Sequence, residues 1–307
     1  MNPAWPVIFF TTFAGWAQGL VIALAVGSLA GAPPTRELLL TALSVALALS
    51  MIGLGCSALH LGRPERAWRA VAMWRTSWLS REVIVLPAFI ACLGIWLTAE
   101  LAQRGTPLIL LVAIVLTVLL WVCTAMIYVC LTFIREWSHP LTVANYVLLG
   151  LASGLLLCAG LGVVTGDARY ALACAQWGIA FTALAGLVRG ASLIRNARLR
   201  PVSTLQSATG IRSPRLKQMS MGMSAGAFNT REFFHGKSIW FIRNVKTGFI
   251  VLAFIVPIVL IGISFATRSG TAVLAAALIQ FVGLLGERWY FFAEARHPQN
   301  LYYQVIG

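Results

Sequence analysis

The chain alternates long apolar runs with short polar breaks. A helix needs about 20 residues to cross a hydrocarbon core about 30 Å thick. Eight runs are long enough, at approximately 5–30, 38–60, 82–103, 107–134, 141–164, 170–193, 245–267 and 271–295. The breaks carry helix-boundary chemistry. Pro33-Pro34-Thr35 precedes the second run. Thr106-Pro107 puts a capping residue before a proline at the first helical position, where the missing N–H costs nothing. Ser138-His139-Pro140 separates the fourth run from the fifth. Ser80 is expected to cap the third helix, with Glu82 in its first turn, where the helix dipole favours an acid. The pattern predicts an all-α polytopic membrane protein. Its eight transmembrane helices would form one bundle, a single integral membrane domain over residues 1–307.

Composition agrees. Hydrophobic residues make up 59% of the chain and charged residues 10%, which excludes an ordinary soluble domain. The formal net charge of +14 does not point to nucleic acid, because the basic residues collect in a few loops. Of the 23 Lys and Arg, only Arg36, Arg104, Arg169 and Arg268 fall on the side away from the N-terminus. That asymmetry predicts cytoplasmic termini, as in a bacterial inner-membrane protein. A basic face can also dock a partner, which would bias the count without setting orientation. The segment 197–244 is the one long polar stretch, and it is read as a cytoplasmic loop that orders against another subunit. A mobile topology-setting loop is the alternative. The N-terminus lacks a basic n-region and a small-residue cleavage site, so it reads as a first span. The six cysteines form no CxxC pair and are read as unpaired thiols that pack as small hydrophobes.

Ionisable groups at membrane depth are costly, and so they are candidates for function. His60 closes the second span, and Glu82 opens the third on the same side. Glu287 and Arg288 lie about 16 residues into the eighth, or roughly 24 Å. Three helices thus bring titratable groups to one stratum. Gln280, Gly283, Glu287 and Glu294 share one face of the eighth helix by their spacing. Gln18 and Gln176 are further polar candidates. Each group also has a plainer reading. His60 could cap its helix, Glu82 could pair with Arg81 or Arg66, and Glu287 with Arg288 could be a structural ion pair. Arg63, Arg66, Arg69 and Arg75 read as topology signals or docking contacts.

A bis-histidine haem needs two inward-facing histidines at membrane depth, and only His60 borders a span closely. No haem is expected. There is no Cys/His cluster with zinc or iron–sulfur spacing, so no metal site is expected either. Aromatics gather near the proposed interfaces, at Trp68, Trp74 and Trp78, at Trp240 and Phe241, and from Trp289 to Phe292 with Tyr302 and Tyr303. Most fit an interfacial belt, and a few could wall a flat ring such as a quinone.

Two pieces of sequence carry a resemblance. One is His60-Leu61-Gly62-Arg63-Pro64 followed by Ser77-Trp78-Leu79-Ser80-Arg81-Glu82. The other is Gly286-Glu287-Arg288. With eight spans, they resemble the membrane-anchor subunits of dimethyl-sulfoxide-reductase-type molybdoenzymes. The resemblance implies a subunit without its own redox cofactor, which holds an iron–sulfur subunit and a molybdopterin catalytic subunit to the membrane. It also implies a quinone site (ubiquinone or menaquinone as substrate). By the family pattern His60 and Glu82 correspond to residues that bind quinol. The shared depth adds Glu287 as a third catalytic candidate, and Arg63, Ser80, Arg81 and Arg288 are expected around them. Dimethyl-sulfoxide reductase anchors place this loop outside, whereas the charge count here places it inside. The basic insert and the tail from Gly286 to His297 look more like anchors of cytoplasmic sulfite-oxidising relatives. The rivals are an anchor for a quinol-oxidising dimethyl sulfoxide or polysulfide reductase and, from another class, a secondary transporter, which would bind near the midplane.

Overall fold

The structure is a computed structural model. It describes residues 5–59, 61, 63–200, 204–216 and 237–296. Eight helices are long and apolar enough to span a membrane. They are α1 (Trp5–Leu29), α2 (Arg36–Leu59), α3 (Trp78–Leu101), α4 (Pro107–Val129), α5 (Pro140–Val164), α6 (Ala168–Ala197), α7 (Ile239–Thr267) and α8 (Gly270–Ala293). No strand occurs among the described residues. Each expected span is present. The boundaries differ where local caps override the apolar pattern. Ser77, not Ser80, caps α3, and its hydroxyl accepts from the Ser80 amide. Glu82 therefore lies in the second turn. α6 runs to Ala197 and α7 begins at Ile239, so the polar segment between them is shorter than expected, chiefly at its far end. It holds a one-turn helix, Leu205–Thr209, closed by Gly210 at φ +72°.

The helices form two rings of four. In the first, α1 packs on α2, α2 on α3, α3 on α4 and α4 back on α1. In the second, α5, α6, α7 and α8 close in the same way. The rings meet along α1 and α4 on one side and α5 and α8 on the other. Burial follows this plan. The most apolar stretch of α1 is 72% buried and that of α5 56%, against 33–39% for the other six. The outer helices present Leu108, Leu111, Val115, Leu172, Leu184 and Leu278 as exposed side chains, a surface that lipid tails suit.

Glycine makes the seam close. A Cβ on Gly19 would fall 1.9 Å from the Gly150 carbonyl oxygen, and one on Gly154 would fall 2.1 Å from the Gly19 carbonyl carbon. Small residues let helix backbones touch where lipid offers no hydrophobic drive for association. A second close contact joins α7 to α8. Residues Val251–Ile255 of α7 form a π turn. Gly283 faces the Ala253 amide there, and Gln280 donates to the Ala253 carbonyl at 3.2 Å and to the Thr182 hydroxyl at 3.1 Å.

All six cysteines are free. Cys130 is exposed and Cys56 half-buried, while Cys92, Cys123, Cys158 and Cys174 are buried. At the end of the molecule away from the N-terminus, Asp167 joins α2 to α6. Its carboxylate accepts from the Thr35 amide at 2.7 Å and the Tyr170 amide at 3.1 Å. Burial pushes this carboxyl up, but those amides outweigh burial and hold it below the usual carboxylate range. A depressed folded-state value means that the stabilisation exists above the unfolded value and disappears as pH falls through the folded one. Asp167→Asn keeps a capping side chain but removes the charge, and should therefore lower thermal stability near neutral pH, by about 0.3–1 kcal/mol. The gap to the unmodified protein should close on acidification. Melting curves of the detergent-solubilised protein at several pH values check this.

Candidate functional site

The buried charges gather at the seam between the rings, near the ends that α1 and α3 start from. α8 supplies Glu287 and Arg288, and α6 supplies Arg189. Arg189 Nε lies 2.7 Å from Glu287 Oε1, and Arg288 Nε lies 3.3 Å from Glu287 Oε2. A further pair joins Arg189 to Glu294 at 3.8 Å. Glu287 is only 1% exposed. A carboxylate so far from water persists as an ion only with such partners. The Arg288 guanidinium also lies 4.0 Å over the Tyr146 ring of α5. Glu294, just past the end of α8, is half-buried, and burial pushes its carboxyl up against the opposing charge of Arg189.

Glu82 reaches the seam from the first ring. It is buried, and the Thr124 hydroxyl of α4 donates a short hydrogen bond to its Oε1. Ser80, two residues earlier on α3, is buried as well. Glu82 and Glu287 do not form a pair. Between them lies a narrow cleft lined by Thr124 and Trp121 of α4, Thr11, Thr12 and Gln18 of α1, Tyr146 and Ser153 of α5, and Arg288 of α8. One carboxylate thus stands behind Thr124 and the other behind Arg288. A second, polar cleft opens beside Arg189, lined by Glu136, His139, Asn145, Ser192, Arg195 and Asn196. Asn145 donates to Ser192 at 2.8 Å across that cleft.

The remaining expected site residues fall elsewhere. Arg63 is exposed at the start of the 3-10 helix Pro64–Met73. Arg81 turns away from Glu82, donates to the Trp74 and Arg75 carbonyls at 2.9 and 2.8 Å, and stacks over Trp78. It therefore fastens the α2–α3 loop to the start of α3. Arg66 pairs weakly with Glu65 at 3.9 Å rather than with Glu82. His60 lies outside the described residues. Gln176 is exposed and Gln18 buried, which separates two candidates that the sequence ranks alike. Of the expected belt aromatics, Trp289 and Phe291 are buried. The Trp137 indole donates to the Phe291 carbonyl at 3.0 Å, so this aromatic group is packing at the seam's end.

Two residues of the site, Arg189 and Thr124, do not emerge from sequence reasoning. The apolar pattern ends the sixth span near residue 193, which groups Arg189 with the loop charges. The available signal is a single arginine inside an apolar run that continues beyond it. Thr124 gives no signal, since a lone threonine in an apolar helix usually bonds its own backbone. Among the described residues, no three His, Cys, Asp or Glu side chains are grouped to hold a metal ion.

Known proteins are similar to this chain in sequence. Residues 1–213 match the family described as DMSO reductase anchor subunit (DmsC). The chain belongs to that family of membrane anchors, which makes it the anchor of a molybdenum oxidoreductase complex of the dimethyl sulfoxide reductase or sulfite dehydrogenase kind. It is 46% identical to the C subunit of sulfite dehydrogenase from Allochromatium vinosum, over 326 aligned positions that span all of both chains. It is 26% identical to the anaerobic dimethyl sulfoxide reductase chain YnfH of Escherichia coli over 163 positions, about half of each chain (51% and 57%). Family membership displaces the transporter reading.

Breaking the buried ion cluster should be costly. Arg189→Ala leaves Glu287 with Arg288 as its remaining ion-pair partner, and losing one member of a buried pair costs about 3–5 kcal/mol. Thermal unfolding in detergent should show a clear drop. Arg189→Lys, which keeps a positive charge beside Glu287, should be less destabilised than Arg189→Ala.

Proposed function

We propose that this chain is the quinone-reactive anchor of a complex that oxidises sulfite in the cytoplasm and passes the electrons to the membrane quinone pool. Support comes first from the sulfite dehydrogenase relative, matched over its full length. Sulfite gains an oxygen atom from water to give sulfate, and this releases two electrons and two protons at a molybdopterin catalytic subunit. An iron–sulfur partner carries the electrons to the anchor. Quinone takes up two electrons and two protons and leaves as quinol. The reverse direction, as in a dimethyl sulfoxide reductase, draws on similarity to YnfH, which covers only half of this chain.

The observation that carries the quinone reading is Glu82. It is a buried carboxylate held by a hydroxyl, next to a cleft between two helix rings. In this arrangement Glu82 exchanges a proton with the bound ring through Thr124. Arg288 supplies positive charge on the opposite wall, where negative charge develops during reduction. The paired Glu287 holds Arg288 in place. His60 follows α2 directly in sequence, and it is the second proton-exchanging group of this reading. Arg63, Arg69 and Arg75, on the exposed α2–α3 loop, would form part of the docking face for the iron–sulfur partner, with the basic segment after α6.

Two experiments test this. Glu82→Gln keeps the shape and removes the ionisable proton. Quinone-linked sulfite oxidation in membranes should fall at least about tenfold, while turnover with an artificial electron acceptor persists. Normal quinone-linked rates in an assembled complex would sink the quinone role of Glu82. Orientation is tested by reporter fusions. A fusion after Gly307 should report the cytoplasm, and one within 31–37 the periplasm. A periplasmic signal at Gly307 would overturn the cytoplasmic assignment and the sulfite reading with it.

A further inference from the structure

The cleft at the seam contains polar groups that the protein's own packing leaves unused. Gln18 is 3% exposed, lines the cleft, and its amide nitrogen Nε2 has no hydrogen-bond partner. Trp121 is also 3% exposed, lines the same cleft, and its indole Nε1 has none either. A buried donor left without an acceptor loses its hydration with nothing in return. Native structures seldom leave two such donors side by side without a use. The backbone is arranged to keep them there. A Cβ on Gly150 would fall 2.7 Å from Trp121 Nε1, so only glycine leaves room for that indole.

Depth adds a second constraint. Gln18 lies 13 residues past the start of α1, roughly 20 Å in, and Thr124 lies 5 residues before the end of α4, roughly 7 Å in from the same side. The cleft therefore runs inward from the Thr124 and Arg288 level to the Gln18 level. Thr124 gives its own proton to Glu82, which leaves its oxygen free to accept. One end of the cleft thus accepts and relays a proton, and the other end only donates.

We infer that the quinone headgroup binds in this seam cleft, with Gln18 and Trp121 donating hydrogen bonds to the carbonyl farther from Glu82. The inference rests on the quinone reading above and extends it to residues of α1 and α4 that no resemblance assigns. A ring carries its two carbonyl oxygens at opposite ends. The outer one, as the quinol hydroxyl, donates to the Thr124 oxygen of the relay, and the inner one meets the two orphan donors. Amide and indole donors do not ionise here, so they fix the ring's orientation and leave proton exchange to the outer end. These are positioning residues. They also discriminate, because a ligand without an acceptor at its inner end leaves both donors unpaired.

The test uses the assembled complex in membranes and a short-chain ubiquinone analogue as acceptor. Gln18→Met keeps the volume, Trp121→Phe keeps an aromatic ring, and each removes one donor. Losing one hydrogen bond of about 1–1.5 kcal/mol predicts a rise of about five- to tenfold in the analogue's KM. Rates are taken relative to artificial-acceptor turnover of the same membranes, so that poor assembly cancels. A photoreactive azido-quinone on the unaltered complex should label α1 or α4 near Gln18 or Trp121, and this readout does not depend on any variant folding. An unchanged KM in both variants, with label confined to the α2–α3 loop, overturns the inference. Running Glu82→Gln in parallel separates the two claims. If only Glu82→Gln loses quinone-linked turnover, the quinone reading stands and the seam assignment fails. If Glu82→Gln is silent as well, both fall.

Discussion

Glu287 is a negative charge in a place without water, and much of the seam is organised around keeping it there. Arg189 approaches it from α6 and Arg288 from the next position on α8. Neither arginine could be buried alone, since each ion needs the other's field and hydrogen bonds to offset its lost hydration. The cluster ties the two helices of the second ring together at the level where the first ring offers Glu82. Its Arg288 lies on the cleft side. The ion cluster therefore packs the protein and sets the electrostatics of the cleft with the same atoms.

The glycines complete the arrangement. Gly19, Gly150 and Gly154 bring α1 and α5 into backbone contact. Such contact fixes the distance between the rings, and the width of the cleft beside it. It also removes the side chains that would have filled that cleft. A site at a seam between two helix bundles is built from elements that are each rigid, which holds the polar groups in place without a loop.

The spans are readable in the sequence because apolar length is a strong signal in a membrane chain. The helix starts are less readable, as the region of Ser77 and Ser80 shows. Both serines are capping residues, and only the three-dimensional course of the loop decides which hydroxyl meets an amide. Glu287 and Arg288 are legible as buried charges, and Glu82 as a carboxylate near the same depth. Their separation across a cleft is not, because periodicity gives a face of one helix and not the pairing of helices. The two four-helix rings leave no repeat in the sequence, since lipid-facing positions need only be apolar. Arg189 shows how a residue escapes such reading. A charge that resembles the end of a helix is here the polar side of one.

The π turn at Val251–Ile255 has a consequence for how this chain can vary. A π turn holds one residue more than the α-helical ladder would, so it behaves as an insertion absorbed within a span. Deleting one residue there would not simply shorten α7. It would let the turn close to an α-helical one and leave Val256–Thr267 nearly in phase with the first half, whereas a deletion in the α-helical part before it would rotate everything beyond by about 100°. In that second case Ile261 and Ser264, now turned inward, would face lipid, and Val259 would turn toward the core. The span can thus change length by one residue at this turn but not within its α-helical part. A relative that lacks the extra residue can keep the packing of the outer half on an unbroken α-helix.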